Sequence, residues 1–240
     1  MYFYEKLSNE IEIATSKQHT FGTDAVLLAS FSNPSRRDKA LDMGTGCGII
    51  PLLWARDSEA CEIECVDIQE NAVNQAAHSV KRNALDSRIK VHKADLRQIS
   101  SLYESDSFTL VTMNPPYKPV NTGIESADES ARIARHEVCC TVEDAVGAAA
   151  YVLKFGGRFC MCHRPERLCD VICAMRSRSV EPKRLRFVCD REGEAPFLFL
   201  IEGKKGAKPF LKVEKQLVLK NSDLKFTKEM NDIYASYAKE

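Results

Sequence analysis

The chain has 240 residues, 44% of them hydrophobic and 28% charged, with 34 Lys and Arg balanced by 34 Asp and Glu. That length and composition fit one α/β domain with small additions. No apolar run reaches the roughly 18 residues a membrane-spanning helix needs, and the opening "MYFYEKLSNE" lacks a basic stretch leading into an apolar one, so the expectation is a cytoplasmic protein without membrane contact.

In chain order, Met1–Phe31 reads as a small ordered addition with a helix at "TDAVLLASF". After the polar loop Arg36–Lys39, "ALDMG" is a short buried strand ending in a turn. "GIIPLLWAR" is a helix that tolerates Pro51 near its first turn. "CEIECVDI" alternates as a strand, and "QENAVNQAAHSVKRNAL" is a helix with Ala72, Ala76, Val80 and Leu85 near one face. "RIKVHKAD" and the uninterrupted apolar "FTLVTMN" are strands. "TVEDAVGAAAYVLKFGG" is a helix opened by Thr141 with Asp144 three residues on, and closed by Gly156–Gly157. "RFCMCH", the helix "RPERLCDVICAMRSRS" and the strands "PKRLRFVCD" and "APFLFLIEG" complete the core. Residues after Phe210 read as an extra strand and a terminal helix.

Repeated strand–helix alternation predicts a Rossmann-like, doubly wound α/β sheet. Seven strands are expected, mostly parallel. The short Arg191–Ala195 turn makes the final pair antiparallel, because a parallel crossover needs more chain. The expected organisation is a single domain over 1–240, with an N-terminal addition (1–39), a core (40–203) and a C-terminal extension (204–240).

Ten cysteines occur, but none are spaced C-x2-C and no His pair follows at finger spacing. Most sit in apolar runs, where a reduced Cys acts as a small buried hydrophobe, so no metal site is expected. Charge is uneven: residues 151–220 carry 16 Lys and Arg against 8 Asp and Glu. A basic half suits a polyanion or simply a solvated face.

"LDMGTGCG" sets Gly44, Gly46 and Gly48 directly after the first core strand, where glycine lets the backbone turn tightly and approach a ligand. Asp67 closes the next strand, positioned to accept both ribose hydroxyls of a nucleoside. Asp95 ends the third and can face an adenine amino group. Asp42, just before the glycines, disfavours a diphosphate and suits a cationic ligand, although a structural bond to the loop is an equal reading. An adenosyl ligand with an ammonium and a sulfonium, S-adenosylmethionine, fits this pattern.

"VTMNPPYKP" ends an apolar strand with Asn114, then Pro115, Pro116 and Tyr117. Two prolines stop a strand and stiffen the loop after it. A purine exocyclic amine is a poor nucleophile because its lone pair is conjugated into the ring. Two acceptors aimed at its hydrogens, Asn114 Oδ1 and the Pro115 carbonyl fixed by Pro116, orient it and stabilise charge developing on nitrogen. Tyr117 offers a face on which the base stacks.

Together "LDMGTGCG", "VDIQENAV", "ADLR" and "NPPY" resemble the class I S-adenosylmethionine-dependent methyltransferases that modify amino or amide nitrogens. The flanks "FGTDAVLLASF", "NTGIESADESARIARHE" and "HRPERLCDVICAMRSRSVEPKRLRFV" resemble the bacterial family that methylates adenine N6 in valine tRNA, just 3′ of the anticodon. The resemblance implies Asn114, Pro115, Pro116 and Tyr117 as the target-base clamp. It implies Asp42, Gly44, Gly46, Asp67, Ile68, Asp95, Leu96 and Asn114 as cofactor contacts, with Thr23 and Asp24 toward the methionine end. It makes the tRNA anticodon loop the partner, and no obligate protein partner is implied.

Arg132, Arg135 and His136 follow the clamp at near-helical spacing and either meet tRNA or pair with Glu129 and Glu137. Arg176, Arg178, Lys183, Arg184 and Arg186 form a basic cluster open to RNA phosphate; of these, Arg184 and Arg186 are the candidate contacts. His163 and Arg164 either reach the cleft or cap the next helix.

The alternatives are methylation of a release-factor glutamine, of another RNA base, a nucleotide-dependent oxidoreductase, and a non-catalytic RNA-binding module. The release-factor family uses the same NPPY but carries a helical N-terminal domain, whereas 39 residues precede "ALDMG".

Overall fold

Strand and helix alternate as the apolar pattern requires. A computed structural model describes residues 1–58, 62–115 and 140–234. A hairpin of β1 (Phe3–Lys6) and β2 (Glu12–Thr15) precedes α1 (Thr23–Ser32). Then come β3 (Lys39–Met43), α2 (Ile49–Asp57), β4 (Glu62–Asp67), α3 (Glu70–Arg82), β5 (Ile89–Lys93) and β6 (Phe108–Met113). After these lie α4 (Val142–Val152), β7 (Leu153–His163), α5 (Leu168–Ser177), β8 (Val180–Arg191), β9 (Leu198–Lys205), β10 (Lys212–Val213), β11 (Leu217–Lys220) and α6 (Lys228–Tyr234).

The main sheet runs β10-β8-β9-β7-β6-β3-β4-β5, with β11 also on β8. Central β3 and β6 are parallel neighbours, Ala40 opposite Leu110 and Met43 opposite Met113. Strand alternation divides the core into two layers. Ala40, Ile63, Cys65, Leu110, Cys160 and Cys162 face the side covered by α1 and α2. Leu41, Met43, Val66, Val111, Phe159 and Met161 face the side covered by α4 and α5. The apolar run of α2 buries Trp54, whose Nε1 donates to Ser32 Oγ at 3.0 Å, so this ring is core.

β9 lies antiparallel between β7 and β8, as the short Arg191–Ala195 connection requires. Three expectations need correction. The seven core strands β3 to β9 are present, but the C-terminal extension adds two strands where one was expected, β10 and β11, both parallel along β8, so the main sheet has nine. The helix begun at Thr141, with its reciprocal capping box to Asp144, stops at Val152 and not at Gly156–Gly157. Leu153 is fully buried and pairs with Phe108 in the sheet, so "LKFGG" opens β7. The N-terminal addition also contains the β1–β2 hairpin. Among the described residues no helix is long and apolar enough to cross a membrane.

Among the described residues, eight cysteines stand outside any disulfide and no cluster of His, Cys, Asp or Glu is built to hold a metal. Cys47, Cys65, Cys160, Cys162 and Cys189 are buried as small hydrophobes, whereas Cys169 and Cys173 are exposed on α5. Cys61 and Cys139 lie outside the described residues.

Candidate active site

The carboxyl ends of β3, β4, β5 and β6 open on one cleft of about 860 Å³. Asp24, Asp42, Gly44, Gly46, Asp67, Ile68, Asp95, Leu96, Asn114 and Pro115 all line it, so residues far apart in sequence meet at the sheet edge where open α/β folds bind ligands. Thr23 does not line it: its hydroxyl lies 3.1 Å from the Tyr234 hydroxyl on α6. Pro116, Tyr117, Arg132, Arg135 and His136 lie outside the described residues.

The glycine turn has the geometry its sequence implies. At Gly46 φ is +56°, and a Cβ there would meet no protein atom within 4 Å, which leaves this backbone open to a ligand. At Gly48 φ is +83°, and a Cβ would press on Ala76 of α3 at 3.0 Å, so this glycine lets the start of α2 pack closely against α3. Asp67 braces the turn. Its Oδ2 accepts from Gly46 N and its Oδ1 from Gln69 N, each at 2.9 Å.

Asp42 lies below the turn, 1% exposed. Its Oδ1 accepts from Thr112 Oγ1 at 2.7 Å, while Oδ2 and the neighbouring Thr45 Oγ1 have no hydrogen-bond partner among the described residues. Burial pushes the Asp42 carboxyl up to about 7. Asp95 is differently placed. It accepts from the Arg97 backbone and pairs with the Arg97 guanidinium at 2.6 Å. That side-chain bond holds its carboxyl below the usual range. Asp95 therefore borders the cleft as an ion-paired turn cap.

Asn114 stands at the end of β6. Its Nδ2 donates to Asp24 Oδ2 at 3.1 Å, and its Oδ1 accepts from Cys162 Sγ on β7 at 3.2 Å. A carboxylate can only accept, so Asp24 fixes the nitrogen side of the amide and leaves the oxygen as the remaining acceptor. Asp24, expected to contact the cofactor, also positions Asn114.

Arg184 and Arg186 do not face this cleft, a correction to their expected RNA role. Arg184 pairs with Glu202 at 3.0 Å and Glu214 at 2.8 Å, with its guanidinium 4.3 Å from the Phe31 ring centroid. Arg186 pairs with Glu229 at 2.7 Å. Both line a separate cavity of about 250 Å³ under α1 and α6. Two residues apart on β8, they share a face, and the C-terminal extension covers it. His163 is buried, stacks on Phe199 and accepts from Arg164 N at 2.8 Å; burial pushes its ring down to about 4. It caps the turn after β7.

One wall was missed. Gln18, His19, Thr20 and Phe21, between β2 and α1, line the cleft. Buried Gln75 on α3 donates to Ala14 O at 2.8 Å and His19 O at 2.9 Å, Ser79 Oγ accepts from Ala14 N, and Asn83 Oδ1 accepts from Glu12 N. The signal was a polar stripe one turn apart, Gln75, Ser79 and Asn83, beside the apolar stripe of the same helix.

Residues 15–166 match the family model described as the methyltransferase small domain. The chain is 31% identical over 137 residues to the tRNA1(Val) (adenine(37)-N6)-methyltransferase of Histophilus somni, covering 57% of each chain. It is 28% identical over 181 residues to the enzyme of the same name from Parabacteroides distasonis, covering 75% of each. The chain thus spans little more than half the length of the first of these relatives. In fold it resembles the crystal structure of a predicted O-methyltransferase from Agrobacterium tumefaciens, with a TM-score of 0.71, 22% identity and coverage of 90% of this chain and 97% of that one. A geranyl diphosphate C-methyltransferase from Streptomyces coelicolor, solved with S-adenosyl-L-homocysteine, gives a TM-score of 0.55 at 11% identity, covering 76% and 77% of the two chains. With its cleft at the carboxyl edge of a Rossmann-like sheet and more than half its length matched by one model, the chain belongs to the methyltransferase small domain family.

Proposed function

We propose that the chain transfers a methyl group from S-adenosylmethionine to the exocyclic N6 of an adenine in a tRNA anticodon loop. The observation that carries this reading is Asn114: an amide at the end of a central strand, in the cleft, with its nitrogen committed to Asp24 and its oxygen an acceptor that takes the Cys162 thiol on one lone pair and has a second for a target amine. The names of the curated relatives supply the substrate class.

S-adenosylmethionine supplies, when bound, an electrophilic methyl on a positively charged sulfur. The residues present fit it. Gly46 leaves its backbone exposed to the cleft. Asp67, held by two backbone amides, keeps acceptor capacity for ribose hydroxyls. Asp42 Oδ2 and Thr45 Oγ1 are buried polar atoms without partners among the described residues, beside the place where a cationic amino-acid portion would lie.

Asn114 Oδ1 and the Pro115 carbonyl hold the amine so that its lone pair points at the methyl. Their partial negative charges favour the charge that develops on nitrogen during transfer. Alignment supplies much of the rate, and the alkylated nitrogen, once cationic, loses its proton to solvent without a dedicated base. An anticodon loop suits such a site because its bases are already splayed, so extrusion costs little.

The test is incubation of the purified chain with labelled S-adenosylmethionine and either bulk tRNA or a release factor, followed by mass spectrometry of nucleosides and peptides. The expected product is N6-methyladenosine in tRNA. Label on a protein glutamine, or on neither substrate, overturns the reading.

A further inference from the structure

The excess positive charge of residues 151–220 is not used up by the arginines that fasten the C-terminal extension. At the sheet edge opposite the cleft, where β7 begins and β9 ends, Phe155 and Phe210 stand 81% and 77% exposed. The Phe155 ring lies against Gly206, in space a side chain there would fill. Phe210 has φ +147°, a backbone region that non-glycine residues rarely hold without cause. Lys183 Nζ lies 5.8 Å from the Phe210 ring centroid and donates to Lys208 O at 3.1 Å.

The carboxylates at this edge are already engaged: Asp106 with Lys205, and Glu181, opposite Lys204, with Arg176. Lys154, Lys204 and Lys208 are exposed and make no ion pair among the described residues, although Lys154 lies in the field of Glu62. Two exposed rings on an edge that also carries exposed lysines match unpaired nucleotides, whose bases stack on aromatic faces and whose phosphates meet cations. A second copy of this chain would instead bring like charges together.

We infer that this edge is a second RNA-contacting surface, with Phe155 and Phe210 stacking bases and Lys154, Lys204 and Lys208 facing phosphates. The identity of the RNA rests on the tRNA reading above. Phe108 pairs with Leu153 at one end and Met113 with Met161 at the other, so the six residues of β6 separate the two edges by roughly 20 Å at about 3.3 Å per residue. The surface lies on the edge away from the cleft, so a full-length tRNA reaches it with a part other than the loop being methylated.

The test compares a full-length tRNA with its isolated anticodon stem-loop by fluorescence anisotropy, using the wild-type chain, F155A/F210A and K204E/K208E. Expected is an approximately tenfold weaker affinity for full-length tRNA in each variant, with a shallower salt dependence for K204E/K208E. Stem-loop affinity, stem-loop methylation and melting temperature stay unchanged. Unaltered full-length affinity in both variants overturns the inference, as does an effect confined to self-association or to anionic vesicle binding. Failure of the wild-type chain to methylate the stem-loop would instead sink the proposed activity, and the difference in RNA affinity would still be read.

Discussion

Asn114 and Asp24, 90 residues apart in sequence, meet through a 3.1 Å hydrogen bond from Nδ2 to Oδ2 at the mouth of the cleft. A primary amide presents two nearly isosteric ends, and only the oxygen can accept a hydrogen bond from a target amine. The bond to a carboxylate decides which end faces the substrate. α1, outside the core strands, thus sets the chemistry of a residue at the end of β6.

Asp24→Ala removes that constraint, and kcat should fall about 10- to 100-fold through misorientation of the amide. Asp24→Asn keeps an acceptor oxygen for Nδ2 and should recover most of the rate. Calorimetry with S-adenosylhomocysteine gives the check. If Asp24 acts chiefly on Asn114, both variants bind it with wild-type affinity; a large loss of affinity in Asp24→Asn would show that its charge serves the cofactor instead.

Asn114→Ala should bind S-adenosylhomocysteine normally and lose methyl transfer by about 100-fold or more, the scale of removing one group that stabilises developing charge. Unchanged turnover in single-turnover assays would contradict the role given to its oxygen.

Asp42 makes stability depend on pH. Its carboxyl is near 7 in the folded chain, against about 4 when unfolded. Between those values the folded state holds a proton the unfolded state has lost, so stability falls as pH rises from about 4 to about 7, then levels off. The cost above pH 7 is on the order of 4 kcal/mol. Asp42→Asn removes it while keeping an acceptor for Thr112. Thermal melts should show the variant above wild type at pH 8, with the gap closing toward pH 5; a gap independent of pH would be contrary.

The sheet was legible because its strands are apolar and end in residues with no packing reason to be there: Gly44, Asp67, Asp95 and Asn114. Their shared edge follows from parallel topology alone. How each residue would be engaged was not legible. Asp95 is tied by Arg97, only two residues on, yet nothing in "ADLR" separates a ligand contact from a turn cap. The partners of Arg184 and Arg186, namely Glu202, Glu214 and Glu229, come from later elements whose docking no local pattern specifies. The β1–β2 hairpin was not legible for the same reason, since the side-chain bonds that anchor it to the core come from a helix about 60–70 residues away.

Gly48→Ala should destabilise the chain by about 1–2 kcal/mol, combining a positive φ with a 3.0 Å approach to Ala76. Urea unfolding measures this. Gly46→Ala carries a similar backbone cost but meets no protein atom, so its added effect should be weaker binding of S-adenosylhomocysteine. Equal affinities in the two variants would contradict the division of labour between the glycines.

Gln75 is 1% exposed and spends its amide nitrogen on Ala14 O and His19 O. Gln75→Ala leaves both carbonyls short of a donor, a cost of about 1–3 kcal/mol. It also unpins the segment that forms the missed wall. The α3 face and the sheet stay packed through Ala72, Ala76 and Val80, so the loss should be local. Hydrogen exchange should rise in residues 14–22 and not in β3 or β6, and affinity for S-adenosylhomocysteine should drop several-fold because that segment borders the cleft. If exchange rose uniformly, Gln75 would be a general stabiliser of the fold, and the hairpin's claim to shape the site would fail.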